Sequence, residues 1–334
     1  MRAVVCREFG GFDKLRIEEI PEPEMIPAGV RIRVEAAGAN FADSLMVGGT
    51  YQRKPPFPFV PGLPVAGTVI EVADGVTRFR PGDRVFAALD HGAYAEVAVA
   101  PADNTFHFPD DMDFATAIAF PFSYGTSYGS IVWKGRLQPG ETLLVHGAAG
   151  AVGLAAVEIG KALGARVIAT AGSPEKLQVA RDHGADIVID YTAGTFREAV
   201  LEATGGRGAD VVFDPVGGEV FDQSLRCTAP EGRILVIGFA GGTVPQIPAN
   251  ILLVKNITVV GFFWAHFRKN HQDWVEAGLA RMFDWVREGK LNPVISHRFP
   301  LEQFKEAMDT ILARKSIGKV VLLPRETAIE NRGA

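Results

Sequence analysis

Residues 141–153 read ETLLVHGAAGAVG, a short apolar run followed by a turn of small residues. A helix-forming run begins directly afterwards, at Leu154. This order is typical of dinucleotide binding, in which a buried strand leads into a turn and the next helix presents free N–H groups to a pyrophosphate. Gly150 would let the backbone approach the phosphates, and Gly153 would let the helix pack closely on the strand. Ala148 stands where the common pattern has its first glycine, so a turn without a ligand is the alternative interpretation.

The sequence that follows alternates between short apolar strands and helices. The strands are four to six residues long and rich in Val and Ile, as expected for strands covered on both faces. After the first strand, strands are predicted at 166–170, 186–190, 210–214 and 233–238, with helices at 174–183, 195–204 and 219–227. This alternation predicts a doubly wound parallel sheet, and therefore a Rossmann domain over residues 125–262.

The end of the second predicted strand carries no carboxylate. NAD-binding domains usually place Asp or Glu there to bind the ribose 2′-hydroxyl. Here residues 170–173 are Thr, Ala, Gly and Ser, and Lys176 follows in the first turn of the next helix. A carboxylate would repel a 2′-phosphate, whereas a hydroxyl, a helix N-terminus and a lysine would attract it. The sequence therefore favours NADPH over NADH, although a lone lysine is more often a solvated surface residue.

Composition indicates a two-domain enzyme. The chain has 334 residues, is 47 % hydrophobic and carries a formal net charge of −5. It has no block of basic residues, so neither nucleic acid nor an anionic membrane is expected as a partner. No apolar run approaches the ~18 residues of a membrane span, and the first residues lack the apolar region of a signal peptide. The two cysteines, Cys6 and Cys227, lie far apart in the sequence, and a cytoplasmic location is expected.

The remaining sequence predicts a β-rich domain in two parts. Short strands separated by turns are predicted at 30–36, 66–72, 84–88 and 93–98. After the Rossmann domain, a helix is predicted at 274–288, a strand at 294–299, a helix at 301–313 and a strand at 319–323. Residues 263–334 could return to the domain formed by residues 1–124, which would make the nucleotide-binding domain an insertion.

Seven short segments together resemble a known family. They are Gly38–Asp43, Pro61–Gly62 with Gly67, Arg80–Val85, Gly92–Glu96, His146–Gly153, Asp214–Gly218 and Gly318–Leu322. In this order and spacing, the chain from Met1 to about Pro324 resembles the zinc-independent quinone oxidoreductases (zeta-crystallin-like proteins) of the medium-chain dehydrogenase/reductase superfamily. The resemblance implies a GroES-like catalytic domain with an inserted Rossmann domain, and usually a homodimer. It also accommodates Ala148, since alanine is frequent at that position of the family's glycine motif.

Zinc-containing members of the superfamily differ from this chain where they bind the metal. Their catalytic zinc uses a cysteine where this chain has Asn40, and a His-Glu pair where it has Leu63 and Pro64. Their structural zinc uses four closely spaced cysteines, whereas this chain has two. Five histidines show no paired ligand spacing, so no metal site is expected; they are His91, His107, His266, His271 and His297.

Without a Lewis acid, reversible alcohol dehydrogenation is hard to support, and the expected chemistry is reduction of an acceptor that is already electrophilic. By resemblance, Asn40 lies near the nicotinamide, where its amide could bond the cofactor or the substrate oxygen. Tyr51 is a second candidate donor to the substrate oxygen. The quinone reductases of the family can carry another tyrosine six positions earlier, where this chain has Leu45. The alternatives are an Asn in an ordinary turn and a Tyr with a merely packed ring.

The resemblance also implies a set of cofactor-binding residues. Thr126 matches a position near the nicotinamide ribose. The predicted pyrophosphate residues are Ala148, Gly150, Ala151, Val152 and Gly153. The predicted 2′-phosphate residues are Ser173, Lys176 and Tyr191, with Arg314 as a further candidate. The residues expected to border the nicotinamide are Gly238, Phe239, Phe262 and Phe263, although these aromatic rings could instead be core or dimer contacts.

Together with the resemblance, which implies the homodimer and the quinone substrate, these observations predict a cytoplasmic protein that uses NADPH to reduce quinones, small electrophilic molecules, without a metal. Two alternatives stay open. The first is an enone or enoyl-thioester reductase, which would share the site and differ in the shape of its pocket. The second is a protein that binds NADPH without turnover, as the lens crystallins of this family illustrate.

Overall fold

A computed structural model gives the structure of residues 1–325. In chain order, the strands are β1 (Arg2–Val5), β2 (Arg16–Glu19), β3 (Gly29–Ala39), β4 (Pro64–Val72), β5 (Arg84–Ala88), β6 (Val97–Pro101), β7 (Thr105–His107), β8 (Thr142–Val145), β9 (Arg166–Ala171), β10 (Ile187–Asp190), β11 (Ala209–Asp214), β12 (Thr228–Val236), β13 (Thr258–Gly261), β14 (Ile295–Pro300) and β15 (Lys319–Leu323). The α-helices are α1 (Phe41–Val47), α2 (Phe114–Ala117), α3 (Gly125–Tyr128), α4 (Ala151–Ala162), α5 (Pro174–Asp182), α6 (Phe196–Ala203), α7 (Gly218–Cys227), α8 (Ala249–Lys255), α9 (Trp264–Asn270), α10 (Gln272–Arg287) and α11 (Phe304–Leu312).

The chain divides into two compact units. Unit 1 contains residues 1–122 and the segment from 294 onward, and unit 2 contains residues 123–293. The predicted segment 263–334 extends beyond the described residues, which end at 325. Among those residues, no helix combines the length and the apolar character that crossing a bilayer requires.

Unit 2 is built on a parallel sheet whose strands, among the described residues, lie in the order β10-β9-β8-β11-β12-β13. β8 lies between β9 and β11 and all four of its residues are buried, as in a strand covered on both faces. The chain runs outward from β8 in one direction through β9 and β10, and then in the other through β11 to β13. The turn from β8 to α4 therefore lies where the strand order reverses, which is the place where doubly wound sheets bind ligands. The predicted Rossmann fold is confirmed.

Unit 2 extends further along the chain than the predicted domain. The prediction ended the domain at residue 262, whereas the compact unit continues to Pro293. Helices α9 and α10 belong to it because their aromatic rings pack around Trp133. The ring centroid of Trp133 lies 5.4 Å from that of Phe267 in α9 and 5.8 Å from that of Trp274 in α10.

Unit 1 contains a mainly antiparallel sheet in the order β14-β15-β3-β4-β5-β7, with β6 paired to β3, and a separate β1-β2 pair. The long strand β3 holds this sheet together, since it pairs with β4, β6 and β15. Val320 lies opposite Ala39 in the β15-β3 pairing, so the C-terminal strand joins the unit that the N-terminal part of the chain begins. This pairing places Lys319 beside the end of β3. Asn40 is the first residue after that strand. The GroES-like, β-rich part of the predicted fold is confirmed.

Candidate active site

The turn between β8 and α4 has the geometry of a phosphate-binding turn. Gly147 has a φ of +58°, which favours glycine. A Cβ on Gly153 would overlap the Gly147 carbonyl oxygen, so α4 can begin this close to the turn only with glycine there. Gly150 precedes α4, and no side chain caps the start of the helix. The N–H groups of Ala151 and Val152 have no acceptor within the first turn of a helix, which suits them to bind an anion.

A buried histidine connects this turn to neighbouring elements. His146 Nδ1 lies 3.0 Å from Thr170 Oγ1, and its Nε2 lies 2.9 Å from Ser224 Oγ. Ser224 donates its hydroxyl proton to the Val220 carbonyl, so it accepts from Nε2–H, and Nδ1 accepts from Thr170. Burial lowers the pKa of His146 to about 3, which keeps the ring neutral. The hydroxyl proton of Thr170 is therefore donated to His146. The backbone carbonyl of Thr170 accepts from the N–H of Ala148 at 3.1 Å.

Three of the predicted 2′-phosphate residues lie together where β9 and β10 end. Ser173 precedes α5, and its hydroxyl oxygen accepts from the backbone N–H of Lys176 at 3.3 Å. A Cβ on Gly172 would lie 2.5 Å from the Tyr191 hydroxyl oxygen, so the phenol lies directly against this glycine. A hydroxyl, a phenol and a helix start that carries a lysine are suited to a phosphate group. The fourth candidate, Arg314, belongs to unit 1, where it follows α11 with a φ of +56°.

Two buried hydroxyls of unit 2 have no hydrogen-bond partner within residues 1–325. One belongs to Thr126, the residue predicted to lie near the nicotinamide ribose, and the other belongs to Ser123. An unpaired buried hydroxyl costs about 1–3 kcal/mol, so both groups fit a polar ligand. Ser123 was not predicted from the sequence. The signal that could have found it is its position three residues before Thr126, since residues three apart lie on one face of a helical segment.

The loops after β11 and β12 lie at the same edge of the sheet as the phosphate-binding turn, because carboxyl ends of parallel strands share an edge. Asp214 Oδ1 accepts from the backbone N–H groups of Val216 and Gly217, at 2.8 and 3.0 Å. A Cβ on Gly217 would lie 3.0 Å from the ring of Phe239, which follows Gly238. These contacts hold the predicted nicotinamide-bordering residues Gly238 and Phe239 against the β11 loop.

Phe262 and Phe263 have different surroundings. The Phe262 ring is buried, and its centroid lies 4.8 Å from that of Phe267. A Cβ on Gly129 would lie 2.5 Å from the Phe262 ring, so this glycine makes room for it. These contacts support the packing alternative for Phe262, whereas Phe263 is 42 % exposed.

Asn40 lies in a buried polar cluster of unit 1. Its Nδ2 donates to the Gly38 carbonyl at 3.0 Å. Its Oδ1 accepts from the Lys319 ammonium, which also donates to the Ala39 carbonyl at 3.1 Å. Both Asn40 and Lys319 are buried. The amide therefore has a defined orientation, with its oxygen toward a cation.

The same cluster contains a buried carboxyl group. Asp43 Oδ2 accepts from the Asn40 backbone N–H at 2.7 Å and from the Tyr94 hydroxyl at 2.8 Å. Burial raises the pKa of Asp43 to about 6, against the opposing effects of these hydrogen bonds and of the Lys319 charge. Burial also lowers the pKa of Lys319 to about 8, against the charge of Asp43. Asp43 and Lys319 therefore each favour the charged form of the other, on either side of Asn40.

Tyr51, the second predicted catalytic residue, follows α1. Its backbone N–H donates to the Leu45 carbonyl at 3.0 Å, and its partly buried ring packs against the core of unit 1. Its contribution to catalysis stays a prediction. In the described part of the chain, no group of three or more His, Cys, Asp or Glu side chains is arranged to hold a metal ion.

Comparison with known proteins finds similarity over almost the whole chain. Residues 27–110 match the alcohol dehydrogenase GroES-like domain, and residues 151–283 match the zinc-binding dehydrogenase domain. The chain is 43 % identical over 325 residues to the quinone oxidoreductase-like protein 2 homolog of Nematostella vectensis, covering 96 % of this chain and 88 % of that protein.

Two similar structures were solved as complexes with NADPH. One is a mycobacterial protein, 35 % identical with a TM-score of 0.92, covering 97 % of this chain and 100 % of that one. The other is the quinone oxidoreductase of Escherichia coli, 29 % identical with a TM-score of 0.91 and the same coverage. The similarity therefore includes both units.

Proposed function

Since the chain belongs to the quinone oxidoreductase family of the medium-chain dehydrogenase/reductase superfamily, we propose that it reduces quinones with NADPH and without a metal ion. The main observation in support of this proposal is the β8–α4 turn. There Gly147 and Gly153 let the start of α4 lie close to the turn, and α4 begins without a side-chain cap. The unpaired hydroxyl of Thr126 and the group formed by Ser173, Lys176 and Tyr191 also fit NADPH. Bound NADPH supplies a hydride.

The residues of unit 1 support a metal-free reaction. A zinc ion bound near Asn40 would lie close to the Lys319 ammonium, which would repel it. A quinone needs no Lewis acid, because its carbonyl groups already make it electrophilic. After one hydride is added, a negative charge develops on a quinone oxygen and one proton completes the hydroquinone. The Asn40 amide and the Tyr51 hydroxyl are the proposed donors to that oxygen.

The proposed function is tested by following NADPH oxidation by chelator-treated protein. Benzoquinone, phenanthrenequinone, an enone and crotonyl-CoA would be offered as separate acceptors, with NADH in parallel. We expect the quinones to react fastest, and NADPH to be preferred to NADH. Faster turnover of the enone or of crotonyl-CoA would replace the quinone assignment by a C=C reductase. Tight NADPH binding without turnover of any acceptor would support a binding protein.

Lys176→Ala should weaken NADPH binding about 10-fold, because one charge-assisted contact to the 2′-phosphate is worth about 1.5 kcal/mol. NADH lacks this phosphate, so its dissociation constant should stay within twofold. Calorimetric titration with both nucleotides measures the effect, and Lys176→Arg is the matched control that retains the charge. An equal loss for NADH and NADPH would remove Lys176 from the 2′-phosphate site.

We also propose a homodimer formed through the β13 edge of unit 2. In the described sheet β13 pairs with β12 alone, and two identical edge strands can pair antiparallel across a two-fold axis. In α8, the helix that precedes β13 in the chain, Leu253 and Val254 are 78 % and 79 % exposed, which is unusual for apolar side chains. The proposed partner of this surface is therefore a second copy of the chain.

Replacing both Leu253 and Val254 by Asp should convert the dimer to a monomer, because two desolvated charges would face their symmetry copies. Sedimentation velocity measures this change. Leu312→Asp is the matched control, since Leu312 is an exposed apolar residue of unit 1 and its replacement should leave the dimer intact. A monomeric wild-type protein would contradict the proposal.

A further inference from the structure

Lys319 is held in unit 1 by an arrangement that a simple surface lysine would not need. The side chain is 2 % exposed, and it lies against Gly38 in the middle of the sheet. A Cβ on Gly38 would lie 2.7 Å from Lys319 Cε and 3.1 Å from its Nζ. Glycine inside a strand weakens the strand, and here it gives the lysine the space to reach Asn40. The contact between the Lys319 ammonium and the Asn40 amide therefore depends on Lys319 in β15 and on Gly38 in β3.

The ammonium determines which way the Asn40 amide is turned. An ammonium group can only donate hydrogen bonds, so it selects the oxygen of the amide. The Gly38 carbonyl can only accept, so it selects the nitrogen. A reversed amide would place an N–H group against the ammonium and an oxygen against the carbonyl. Both contacts would be repulsive.

This orientation decides what Asn40 can offer to a substrate. One Nδ2–H is bonded to Gly38, and within residues 1–325 Nδ2 donates no second hydrogen bond, since Asp43 accepts through Oδ2 from the Asn40 backbone N–H and from Tyr94. The second Nδ2–H is therefore left for a ligand. A cation bonded to the amide oxygen also polarises the amide and makes its N–H groups stronger donors. A stronger donor suits an oxygen on which negative charge develops during the reaction.

We propose that Lys319 is a positioning residue, which holds and polarises the Asn40 amide so that Asn40 donates its second Nδ2–H to the acceptor oxygen. This inference rests on the proposed role of Asn40 in quinone reduction. Lys319 itself does not touch the acceptor in this arrangement. It acts through Asn40, across a sequence separation of 279 residues.

A structural role for Lys319 must be separated from the positioning role, because Lys319 also neutralises the buried Asp43. Lys319→Met leaves Asp43 without a nearby cation and should destabilise the fold. The pair Lys319→Met with Asp43→Asn removes both charges and should restore stability. We expect this double variant to keep its affinity for NADPH but to lose roughly 10-fold in kcat with a quinone, since a donor to a developing oxyanion is weakened. Wild-type kcat in the folded double variant would overturn the proposal.

A mutant cycle tests whether Lys319 acts through Asn40. In an Asn40→Ala background, the Lys319→Met and Asp43→Asn pair should cause no further loss of kcat, because the amide that Lys319 positions is gone. A full additional 10-fold loss would show that Lys319 acts independently of Asn40, and would contradict the inference.

A second readout does not depend on turnover, so it separates this inference from the proposed function. In protein labelled with ¹⁵N-asparagine, the side-chain amide signals of Asn40 are identified by their absence in Asn40→Asp. One of the two protons should be protected from solvent exchange in the wild type. The Lys319→Met and Asp43→Asn pair should shift both signals and remove the protection. Unchanged signals would refute the positioning role, whereas a wild type without quinone turnover would refute only the proposed function.

Discussion

Gly153→Ala is expected to weaken NADPH binding by about 100-fold or more. The new Cβ would overlap the Gly147 carbonyl oxygen, and it would lie 2.8 Å from the carbonyl carbon and 2.9 Å from Ala148 Cα. These are backbone atoms, so the clash can be relieved only by moving α4 away from the turn. Two N–H groups at the start of α4 would then leave the pyrophosphate. Two charge-assisted hydrogen bonds together contribute about 3 kcal/mol, which corresponds to roughly 100-fold.

Calorimetry and urea-induced unfolding of the nucleotide-free protein measure this prediction together. Gly150→Ala is the matched comparison, because its Cβ would lie 3.3 Å from the nearest atom and its φ of −76° is open to alanine. The unfolding free energy of Gly150→Ala should stay within about 1 kcal/mol of the wild type, whereas Gly153→Ala should lose about 1–3 kcal/mol. A Gly153→Ala variant that binds NADPH normally would show that the turn does not hold the phosphates.

The phosphate-binding turn was predictable because its signal is local. The strand, the glycines and the helix start lie within thirteen consecutive residues, 141–153, and each has its own residue preference. The strands of unit 2 were predictable for the same reason, since buried parallel strands are short runs of Val, Ile and Leu. β9, for example, was predicted at 166–170 and spans 166–171. β15 was predicted with its observed bounds.

The end of unit 2 was not predictable in the same way. The amphipathic pattern of α10 shows that one of its faces is buried, but not which domain covers that face. The aromatic rings packed around Trp133 show that α10 belongs to unit 2. These rings come from segments more than a hundred residues apart in the chain. β13 was also missed, because two of its four residues are exposed and its apolar run is short.

The polar networks of the candidate site were hidden by sequence distance. Asn40 was predicted as a site residue because the zinc-containing members of the superfamily have a metal ligand at this position. The partner that orients its amide is 279 residues away. His146 and Ser224 are 78 residues apart, and neither stands out in the sequence as part of a network. Their pairing depends on the parallel sheet, which places the end of β8 beside helix α7.

The His146 network leads to a second large effect, a loss of stability in acid. Burial lowers the pKa of His146 from 6.5 to about 3. Between these values the unfolded chain binds a proton that the folded protein does not bind, so the stability from this group is fully present above pH 6.5 and decreases as the pH falls toward 3. From pH 7 to pH 4.5 the decrease should be roughly 2–3 kcal/mol, at about 1.4 kcal/mol for each pH unit below 6.5.

Comparison with His146→Gln isolates this effect from the other titrating groups, including Asp43 in unit 1. A glutamine can accept from Thr170 and donate to Ser224 as the neutral imidazole does, but it does not titrate. All four tryptophans, at 133, 264, 274 and 285, belong to unit 2, so their fluorescence during urea unfolding reports on the unit that contains His146. The wild type should lose stability relative to His146→Gln as the pH falls from 7 to 4.5. Parallel pH profiles for the two proteins would mean that the imidazole takes up its proton within the folded state, and that the network with Thr170 and Ser224 does not hold it neutral.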